Sequence, residues 1–123
     1  MQVLVTGGAG FIGRWLLRVL APDVAVVVVD RLAEEVHGPA AEFPADVRGR
    51  ATCLRCDIRD LDAWRPAAEG TDVVVHLASL TGTGQSMYER DRYVEQNVRA
   101  TEALCEAMGH MGPPPRRVIL ASS

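Results

Sequence analysis

The chain has 123 residues, a net charge of −3 and a composition that is 48% hydrophobic and 24% charged. This length suits one domain around one hydrophobic core, and the composition is typical of soluble globular proteins. The charge excludes the basic surface that nucleic acid or acidic lipid would need. No apolar run approaches the ~20 residues of a membrane-spanning helix. Since no basic segment with a cleavage site precedes the first apolar residues, we also expect no signal peptide and a cytoplasmic location.

The cysteines and the basic residues limit the chemistry further. Cys53 and Cys56 form a C-x-x-C pattern, and Cys105 is the third cysteine. An odd number of cysteines in a cytoplasmic protein argues against a disulfide framework. The pattern lies in a predicted strand, where residues three apart point to opposite faces, and no further zinc ligands are nearby, so we predict no metal site. All 13 basic residues are arginines, and the absence of lysine removes one class of catalytic group.

Short β-branched apolar runs alternate along the chain with longer helical patterns, which is typical of βαβ units. The runs predict strands at about 2–6, 24–29, 51–55, 72–76 and 117–121. Helices are predicted at about 11–20, at 60–68 with Asp60 as N-cap and at 86–109, with a loop and one short helix in 31–50. Strands this apolar are covered on both faces, and right-handed crossovers then give the order 3-2-1-4-5. We therefore predict an α/β fold of the Rossmann type, with three α/β/α layers around a parallel sheet.

The predicted helix 86–109 has one apolar face. At 100° per residue, this face contains Val94, Val98, Thr101, Leu104, Cys105 and Met108. Glu95 and Arg99 lie on the opposite side with the i,i+4 spacing of an ion pair. Asn97 falls inside the apolar face, and an amide that faces the core must find hydrogen-bond partners. We therefore expect Asn97 to hold neighbouring backbone or an ordered water near the sheet.

The segment VLVTGGAGFIG, residues 3–13, joins the first strand to the first helix through glycines with separate roles. Gly7 permits a sharp reversal after the strand, Gly10 keeps a Cβ away from a bound pyrophosphate, and Gly13 lets the helix pack closely on the strand. The N–H groups and the positive end of the helix dipole then bind phosphates. A plain glycine-rich turn is the alternative, but the preceding strand, the following helix and a later acid favour a dinucleotide site.

The acid is Asp30, which follows the second predicted strand, seventeen residues after Gly13. A carboxylate at this position accepts hydrogen bonds from the adenosine ribose hydroxyls and repels a 2′-phosphate. The sequence therefore predicts NAD rather than NADP. Arg31 keeps NADP open as an alternative, because an adjacent arginine can bind the 2′-phosphate or stack on adenine.

Five segments of the chain match a known set of motifs: Thr6–Gly13, Cys56–Asp60, His76–Ser79, Asn97–Thr101 and Val118–Ser123. Together they resemble the extended short-chain dehydrogenase/reductases, and among them the NAD-dependent epimerase/dehydratase family that acts on nucleotide sugars. The resemblance spans the whole chain. It implies that Asp57 and Ile58 flank adenine, that the backbone of 77–79 lies against the cofactor, and that Asn97 supports the site from inside. The cofactor-binding residues expected from the turn, the acid and the resemblance are Gly7, Gly10, Phe11, Ile12, Gly13, Asp30, Arg31, Asp57, Ile58, Leu77, Ala78, Ser79 and Asn97.

Some of these residues also have simpler interpretations. Asp57 could cap a turn, and His76 fits a packed histidine at a strand end better than a catalyst. Ser122 and Ser123 could be a polar chain end. These alternatives need no ligand.

The resemblance implies a catalytic role for Ser123, whose hydroxyl would bind the reacting oxygen of the substrate. The family's proton-transfer pair is a Tyr followed four positions later by a Lys, whose charge lowers the pKa of the Tyr. Here Tyr88 and Tyr93 are followed at that distance by Arg92 and Asn97, and further strands and a substrate lobe are missing. We therefore interpret the chain as a dinucleotide-binding N-terminal part of such an enzyme that is not catalytic alone, or as a degenerate relative.

Two alternatives stay open. One is a non-catalytic dinucleotide-binding or sensor module, in which the uncovered fifth strand is an association hazard that a partner chain or a homo-oligomer could cover. The other is a hydroxysteroid-type or other reductase of the same family, whose substrate-specific residues would lie mostly beyond position 123. In the first interpretation the partners are the dinucleotide and a nucleotide sugar, with no nucleic acid and no membrane.

Overall fold

The apolar strands pair into one sheet in a computed structural model that describes residues 1–122, apart from the side chain of Thr83. The strands are β1 (Gln2–Thr6), β2 (Ala25–Asp30), β3 (Thr52–Arg55), β4 (Val73–His76) and β5 (Arg117–Leu120). Every pairing is parallel, and the order is β3-β2-β1-β4-β5. The predicted fold class and strand order are confirmed, and each strand boundary lies within one residue of its prediction.

Helices occupy the connections between the strands. They are α1 (Phe11–Val19), α2 (Glu34–His37), α3 (Ala45–Arg48), α4 (Leu61–Ala68), α5 (Thr83–Ser86), α6 (Arg90–Tyr93) and α7 (Ala100–Gly109), with a π-helical segment, Val94–Arg99, between α6 and α7. The region 31–50 therefore contains two short helices where one was predicted. In the part of the chain that the structure describes, no helix is both long enough and apolar enough to cross a membrane.

The prediction for Asp60 is only partly right. Asp60 occupies the N-cap position of α4, but its side chain makes no capping hydrogen bond. Its backbone, at φ −84° and ψ 79°, lies outside the extended conformation that a capping residue adopts. The start of α4 therefore depends on the backbone of the preceding turn.

Consecutive valines of β2 alternate between two apolar layers because neighbouring side chains of a strand point to opposite faces. Val27 and Val29 pack in the layer that contains α4 and α7. Val26 and Val28 pack in the layer that contains α1 and α3. The central strands are buried on both faces, as their continuous apolar sequence predicts.

The C-x-x-C pair follows the same alternation. Cys53 packs against the layer with α1, and Cys56 packs against the layer with α4. The prediction that the two side chains lie on opposite faces is therefore confirmed. Burial raises the pKa of both thiols above the ordinary cysteine value, which favours their uncharged form.

The predicted helix 86–109 is interrupted, and its buried face differs from the prediction. A π-helix has i→i+5 hydrogen bonds and a wider turn, so a projection at 100° per residue loses its register across Val94–Arg99. Leu104 is buried, and Thr101 and Met108 are half-buried, but Val94, Val98 and Cys105 are exposed. The buried face of α7 consists of Ala100, Leu104 and Ala107.

The predicted ion pair between Glu95 and Arg99 is wrong for the same reason, because i,i+4 side chains do not overlie one another in a π-helical turn. Glu95 instead pairs with Arg59 at 2.8 Å, and Arg99 pairs with Glu102 at 2.9 Å. The Arg59–Glu95 contact ties the connection after β3 to the π-helical segment.

Candidate functional site

The turn after β1 lies against the carboxyl end of the sheet. The N–H of Gly7 donates to the carbonyl of Val29 in β2 at 2.8 Å. Gly7 has φ +70°, and a Cβ there would lie 2.7 Å from the backbone N of Ala78. Both the left-handed backbone and the close approach of the segment after β4 therefore require glycine, which agrees with the predicted sharp reversal.

The close packing predicted for Gly13 involves a different partner. A Cβ on Gly13 would lie 2.5 Å from the Cα of Gly8, so α1 packs on the backbone of the turn itself and not on a strand. The contact with a strand is made by Gly8, where a Cβ would lie 2.8 Å from the side chain of Val28 in β2. The sequence analysis assigned no role to Gly8, although it is adjacent to Gly7 in the motif.

The backbone conformation of Gly10, unlike that of Gly7, does not require glycine. It is the N-cap of α1 with φ −73°, a conformation open to any residue. Among the described residues, only the Gly7 carbonyl oxygen, at 3.3 Å, would lie within 4 Å of a Cβ on Gly10. The first N–H groups of α1 have no intrahelical acceptors and carry the positive end of the helix dipole. A position without a side chain and N–H donors beside it form a cradle suited to a phosphate.

Asp30 ends β2 beside this cradle, and both of its carboxylate oxygens are engaged. Oδ2 accepts the N–H of Ala9 at 3.0 Å, and Oδ1 accepts the N–H of Leu32 at 2.9 Å. His37 Nε2 lies 3.9 Å from Oδ1, and the Asp30 side chain is 9% exposed. Each carboxylate oxygen has two acceptor positions, so Asp30 retains capacity for ribose hydroxyls.

Arg31 is held by an acid. Its guanidinium donates to Glu35 Oε1 of α2 at 2.8 Å. Arg92 of α6 pairs with the same carboxylate. The sequence analysis did not find this arrangement, in which Glu35 binds the arginine that was considered for a 2′-phosphate.

Asp57 lies in the connection after β3. Its Oδ1 accepts the backbone N–H and Nε of Arg59, and its Oδ2 accepts Nη2 of Arg59, each at 2.9 Å. These hydrogen bonds from Arg59 lower the pKa of Asp57, so the carboxylate is charged at neutral pH. Asp57 therefore does cap a turn, the simpler of the two interpretations.

The segment after β4, residues 77–80, is fixed at three points, the first of which is the Leu77 N–H, which donates to the Thr6 carbonyl at 3.0 Å. The Ala78 N–H donates to Thr6 Oγ1 at 3.2 Å. Asn97 Oδ1 accepts the N–H of Leu80 at 2.7 Å, and Asn97 Nδ2 donates to the Leu80 carbonyl at 3.0 Å. The prediction that Asn97 holds neighbouring backbone is confirmed. We call residues 77–80 the β4 wall.

His76 immediately precedes the β4 wall. It is 7% exposed, and burial lowers the pKa of its imidazole. Its ring lies between the hydroxyls of Thr6 and Thr101, at 2.6 and 3.0 Å. This is the environment of the packed histidine that the sequence favours. Ser123, the expected catalytic residue, lies outside the described residues.

One cleft at the carboxyl end of the sheet collects most of the expected cofactor-binding residues. Those that line it are Gly7, Gly10, Asp30, Arg31, Asp57, Ile58, Leu77, Ala78 and Ser79. Phe11, Ile12 and Gly13 form the first turn of α1 and do not contribute to the described lining, and Asn97 acts on it through Leu80.

Sequence reasoning missed several residues that line the same cleft. They are Val29, Ala33, Val36, His37, Cys56, Leu80 and Gln96. Gln96 was detectable as the polar neighbour of Asn97, and Cys56 as the residue before Asp57. His37 had no signal, because its position depends on how the irregular segment after β2 folds back.

Residues from several of the sequence motifs thus lie together in one cleft. The model of the NAD dependent epimerase/dehydratase family matches residues 3–123. The chain belongs to this family. The residues that line the cleft all fall within the matched range.

Relatives of known activity show similarity over nearly all of the chain. The dTDP-L-rhamnose 4-epimerase of Burkholderia thailandensis is 35% identical over 125 residues, which cover 99% of this chain and 34% of the relative. UDP-glucose-4-epimerase from Stenotrophomonas maltophila, solved with bound NAD and formylated UDP-arabinopyranose, has a TM-score of 0.82 and 28% identity, covering 100% of this chain and 37% of that one. The dTDP-glucose 4,6-dehydratase of Streptomyces venezuelae, solved with NAD, has a TM-score of 0.77 and 30% identity over 96% of this chain and 38% of its own. The chain spans about a third of the length of these relatives.

Proposed function

We propose that this chain binds NAD and supplies the dinucleotide-binding domain, residues 1–123, of an epimerase or dehydratase that acts on nucleotide sugars. The observation that carries the proposal is the convergence on one cleft of the Gly7–Gly10 cradle, the Asp30 carboxylate and the pair Asp57–Ile58. The similar epimerase and dehydratase structures were solved with NAD, which supports the same cofactor here.

The cleft fits the chemical parts of a dinucleotide. The pyrophosphate suits Gly10 and the first N–H groups of α1, where no side chain intervenes. The adenosine ribose suits the remaining acceptor positions of Asp30. Adenine suits the space beside Asp57 and Ile58, and the backbone of the β4 wall offers amides and carbonyls to the other half of the molecule.

The charges of the cleft support NAD over NADP. A 2′-phosphate on the adenosine ribose would meet the carboxylate of Asp30, which is almost fully buried. Arg31 is the cation that could neutralise such a phosphate, but its guanidinium already pairs with Glu35. A 2′-phosphate would therefore have to share this guanidinium with Glu35.

The chemistry that NAD supplies in such an enzyme is the acceptance of a hydride from a sugar carbon and, in most cases, its return. Within this chain, the turn, Asp30 and the β4 wall bind and orient the dinucleotide, and we assign Ser123 to the reacting oxygen of the substrate. The chain contains no lysine, and Tyr88 and Tyr93 lack the required spacing, so we assign proton transfer to a Tyr and a Lys outside it. Residues 1–123 alone are expected to bind NAD without turnover.

The substitution Gly10→Val tests the cradle. The φ of −73° is open to valine, and its Cβ would lie 3.3 Å from the Gly7 carbonyl oxygen, so the variant should fold after a shift of a few tenths of an ångström. Its side chain would occupy the space of the pyrophosphate, and we expect the Kd for NAD to rise at least about tenfold, or about 1.4 kcal/mol. Calorimetry measures the Kd, and urea unfolding checks the fold. Gly109→Ala at the end of α7, where an added Cβ has no neighbour within 4 Å, is the control and should bind like the wild type.

Four results would contradict parts of the proposal. A folded wild-type chain without affinity for NAD, or a Gly10→Val variant that binds equally well, would refute the site. Tighter binding of NADP than of NAD would refute the role of Asp30 alone. Reduction of NAD by this chain with a nucleotide sugar would refute the absence of turnover.

A further inference from the structure

A directional chain of hydrogen bonds crosses the carboxyl end of the sheet. Thr6 and His76 are register partners on β1 and β4, and Thr6 Oγ1 lies 2.6 Å from His76 Nδ1. On the other side of the ring, His76 Nε2 lies 3.0 Å from Thr101 Oγ1. Both ends reach backbone: Thr6 Oγ1 accepts the Ala78 N–H at 3.2 Å, and Thr101 Oγ1 donates to the Asn97 carbonyl at 2.6 Å.

The proton positions follow from counting donors. A threonine hydroxyl has one proton, and Thr101 gives it to the Asn97 carbonyl, which can only accept. Thr101 Oγ1 must then accept from His76 Nε2, so Nε2 carries the ring proton. In the neutral ring Nδ1 is an acceptor, and Thr6 donates to it. This arrangement gives a partner to every donor and acceptor among the side chains of Thr6, His76 and Thr101.

The other protonation states leave groups unpaired. With the proton on Nδ1, the bare Nε2 would face Thr101, whose proton is already used, and the proton of Thr6 would lose its acceptor. A doubly protonated ring would also leave the Thr6 proton without its acceptor. Burial lowers the pKa of His76, which agrees with a neutral ring.

Among the described residues, no charged side chain contacts the imidazole nitrogens of His76. On α7 and the π-helical segment, Arg99 pairs with Glu102, and Glu95 pairs with Arg59. On β5, the register partner of His76 is Leu120, while Arg117 is opposite Val73 at the other end of β4. On β2, Asp30 binds the amides of Ala9 and Leu32. The groups that contact the imidazole nitrogens are thus the uncharged hydroxyls of Thr6 and Thr101.

We propose that His76 is a positioning residue of the cleft, acting as a neutral Nε2–H relay that holds the β4 wall in place for a dinucleotide. The proposal rests on the proposed function, since it concerns the same cleft. The relay reaches Ala78 through Thr6. In the other direction it reaches Asn97 through Thr101, and the Asn97 side chain holds the backbone of Leu80. Because a Cβ on Gly7 would lie 2.7 Å from the N of Ala78, the β4 wall and the phosphate-binding turn are in direct contact. Movement of the β4 wall would therefore displace the turn.

The first measurement is the ring tautomer, read by ¹⁵N NMR on the wild-type chain at neutral pH without dinucleotide. The two ring nitrogens of His76 should show the separate shifts of a protonated Nε2 and a bare Nδ1. His37→Gln and His110→Gln identify the signals of the other two histidines. A proton on Nδ1, or a pair of averaged shifts, would overturn the relay whether or not the chain binds NAD.

The second measurement is the affinity for NAD in two variants of one residue. Thr101→Val keeps the shape but removes the hydroxyl, and we expect the Kd to rise about fivefold, the effect of losing one neutral hydrogen bond. Thr101→Ser keeps the hydroxyl and should restore the wild-type Kd. Equal affinities for the valine and serine variants would overturn the positioning role.

The third measurement is a pH profile of the Kd. Wild-type affinity should fall as the pH is lowered below about 6.5, the ordinary pKa of histidine, because burial lowers the pKa of His76 in the folded chain. His76→Asn should flatten this profile, and because His37 lines the cleft in both proteins, the difference isolates His76. An unchanged profile would overturn the proposal. If the tautomer is as assigned but the wild type does not bind NAD, the proposed function fails and the positioning role fails with it.

Discussion

At Asp30, one carboxylate connects two backbone segments that approach from different directions. Ala9 belongs to the turn after β1, and Leu32 begins the segment after β2. Leu32 has φ 52°, a left-handed conformation that is uncommon for leucine, so its hydrogen bond to Asp30 helps to hold a strained backbone. The acid that we assign to ribose binding therefore also organises the backbone around the cleft.

Asp30→Asn separates these contributions. The amide retains one acceptor oxygen, but its NH₂ group cannot accept the N–H of Ala9 or Leu32. We expect the free energy of unfolding to fall by about 1–3 kcal/mol, since one buried amide loses its acceptor. Urea unfolding measures the change. Asp46→Asn, which removes a surface acceptor shared by Arg14 and Arg18, is the control and should cost clearly less. Equal losses in the two variants would contradict the structural role of Asp30.

Residues whose roles are local in the chain were predictable. Gly7 and Gly10 could be assigned because strand, turn and helix follow one another in the sequence, and Asp30 because it closes the next strand. Gly8 and His37 could not be assigned. Gly8 packs against Val28 and His37 lies near Asp30, both in β2, and no motif encodes these distances along the chain. The exception is Asn97, whose amide in an apolar stripe required a polar partner somewhere nearby.

At the scale of elements, strands were predicted better than helices. Each strand is a β-branched run bounded by turn residues, and burial on both faces leaves little freedom in its limits. The helical pattern at 86–109 assumes a constant angle per residue, an assumption that fails where the hydrogen bonding changes at Val94–Arg99. The sequence therefore identified a long helical stretch but not the face that it buries.

His76, which connects β4 to α7 through Thr101, makes the stability of the fold depend on pH. The pKa of His76 is lowered in the folded chain by burial, so the unfolded chain binds a proton more readily. The contribution of neutral, buried His76 to the free energy of unfolding is fully present above the unfolded pKa of about 6.5. It is lost as the pH falls below that value. We expect the free energy of unfolding to decrease by at most about 1.4 kcal/mol per pH unit in this range. Urea unfolding at several pH values measures the slope.

The control for this slope is His110→Gln, which removes an exposed histidine. It should keep the wild-type slope, whereas His76→Asn should reduce it even if that variant is less stable at every pH. At lower pH a second loss is expected, because the pKa of Asp57 is lowered mainly by its hydrogen bonds from Arg59. A wild-type stability that stays constant between about pH 7 and about pH 5 would contradict the assignment of His76.

For the whole molecule, the exposure of the edge strand β5 is informative. Three consecutive residues of β5, Val118, Ile119 and Leu120, are 41%, 46% and 55% exposed. Because neighbouring side chains of a strand point to opposite faces, β5 is uncovered by the described residues on both faces as well as along its outer edge. Such a strand is a site for association with another polypeptide.

Ile119→Lys tests this edge. We expect the wild-type chain to self-associate with rising concentration, and the lysine variant to associate much less, because a charge on an edge strand opposes pairing. Sedimentation velocity at several concentrations measures the effect. Val19→Lys introduces the same charge on the exposed face of α1 and should associate like the wild type. If both lysines have the same effect, net charge and not β5 controls association.

The π-helical segment Val94–Arg99 is the place in this helical stretch where the chain length can change by one residue. Asn97 lies inside the wide turn, whereas Leu104 and Ala107 follow in regular α-helix against the sheet. A π-helical turn holds about one residue more than an α-helical turn, so deleting one residue here would let the turn close into regular α-helix while α7 keeps its place against the sheet. Homologues and engineered versions one residue shorter in this stretch are therefore expected to keep the fold, provided that an asparagine still holds the backbone of Leu80.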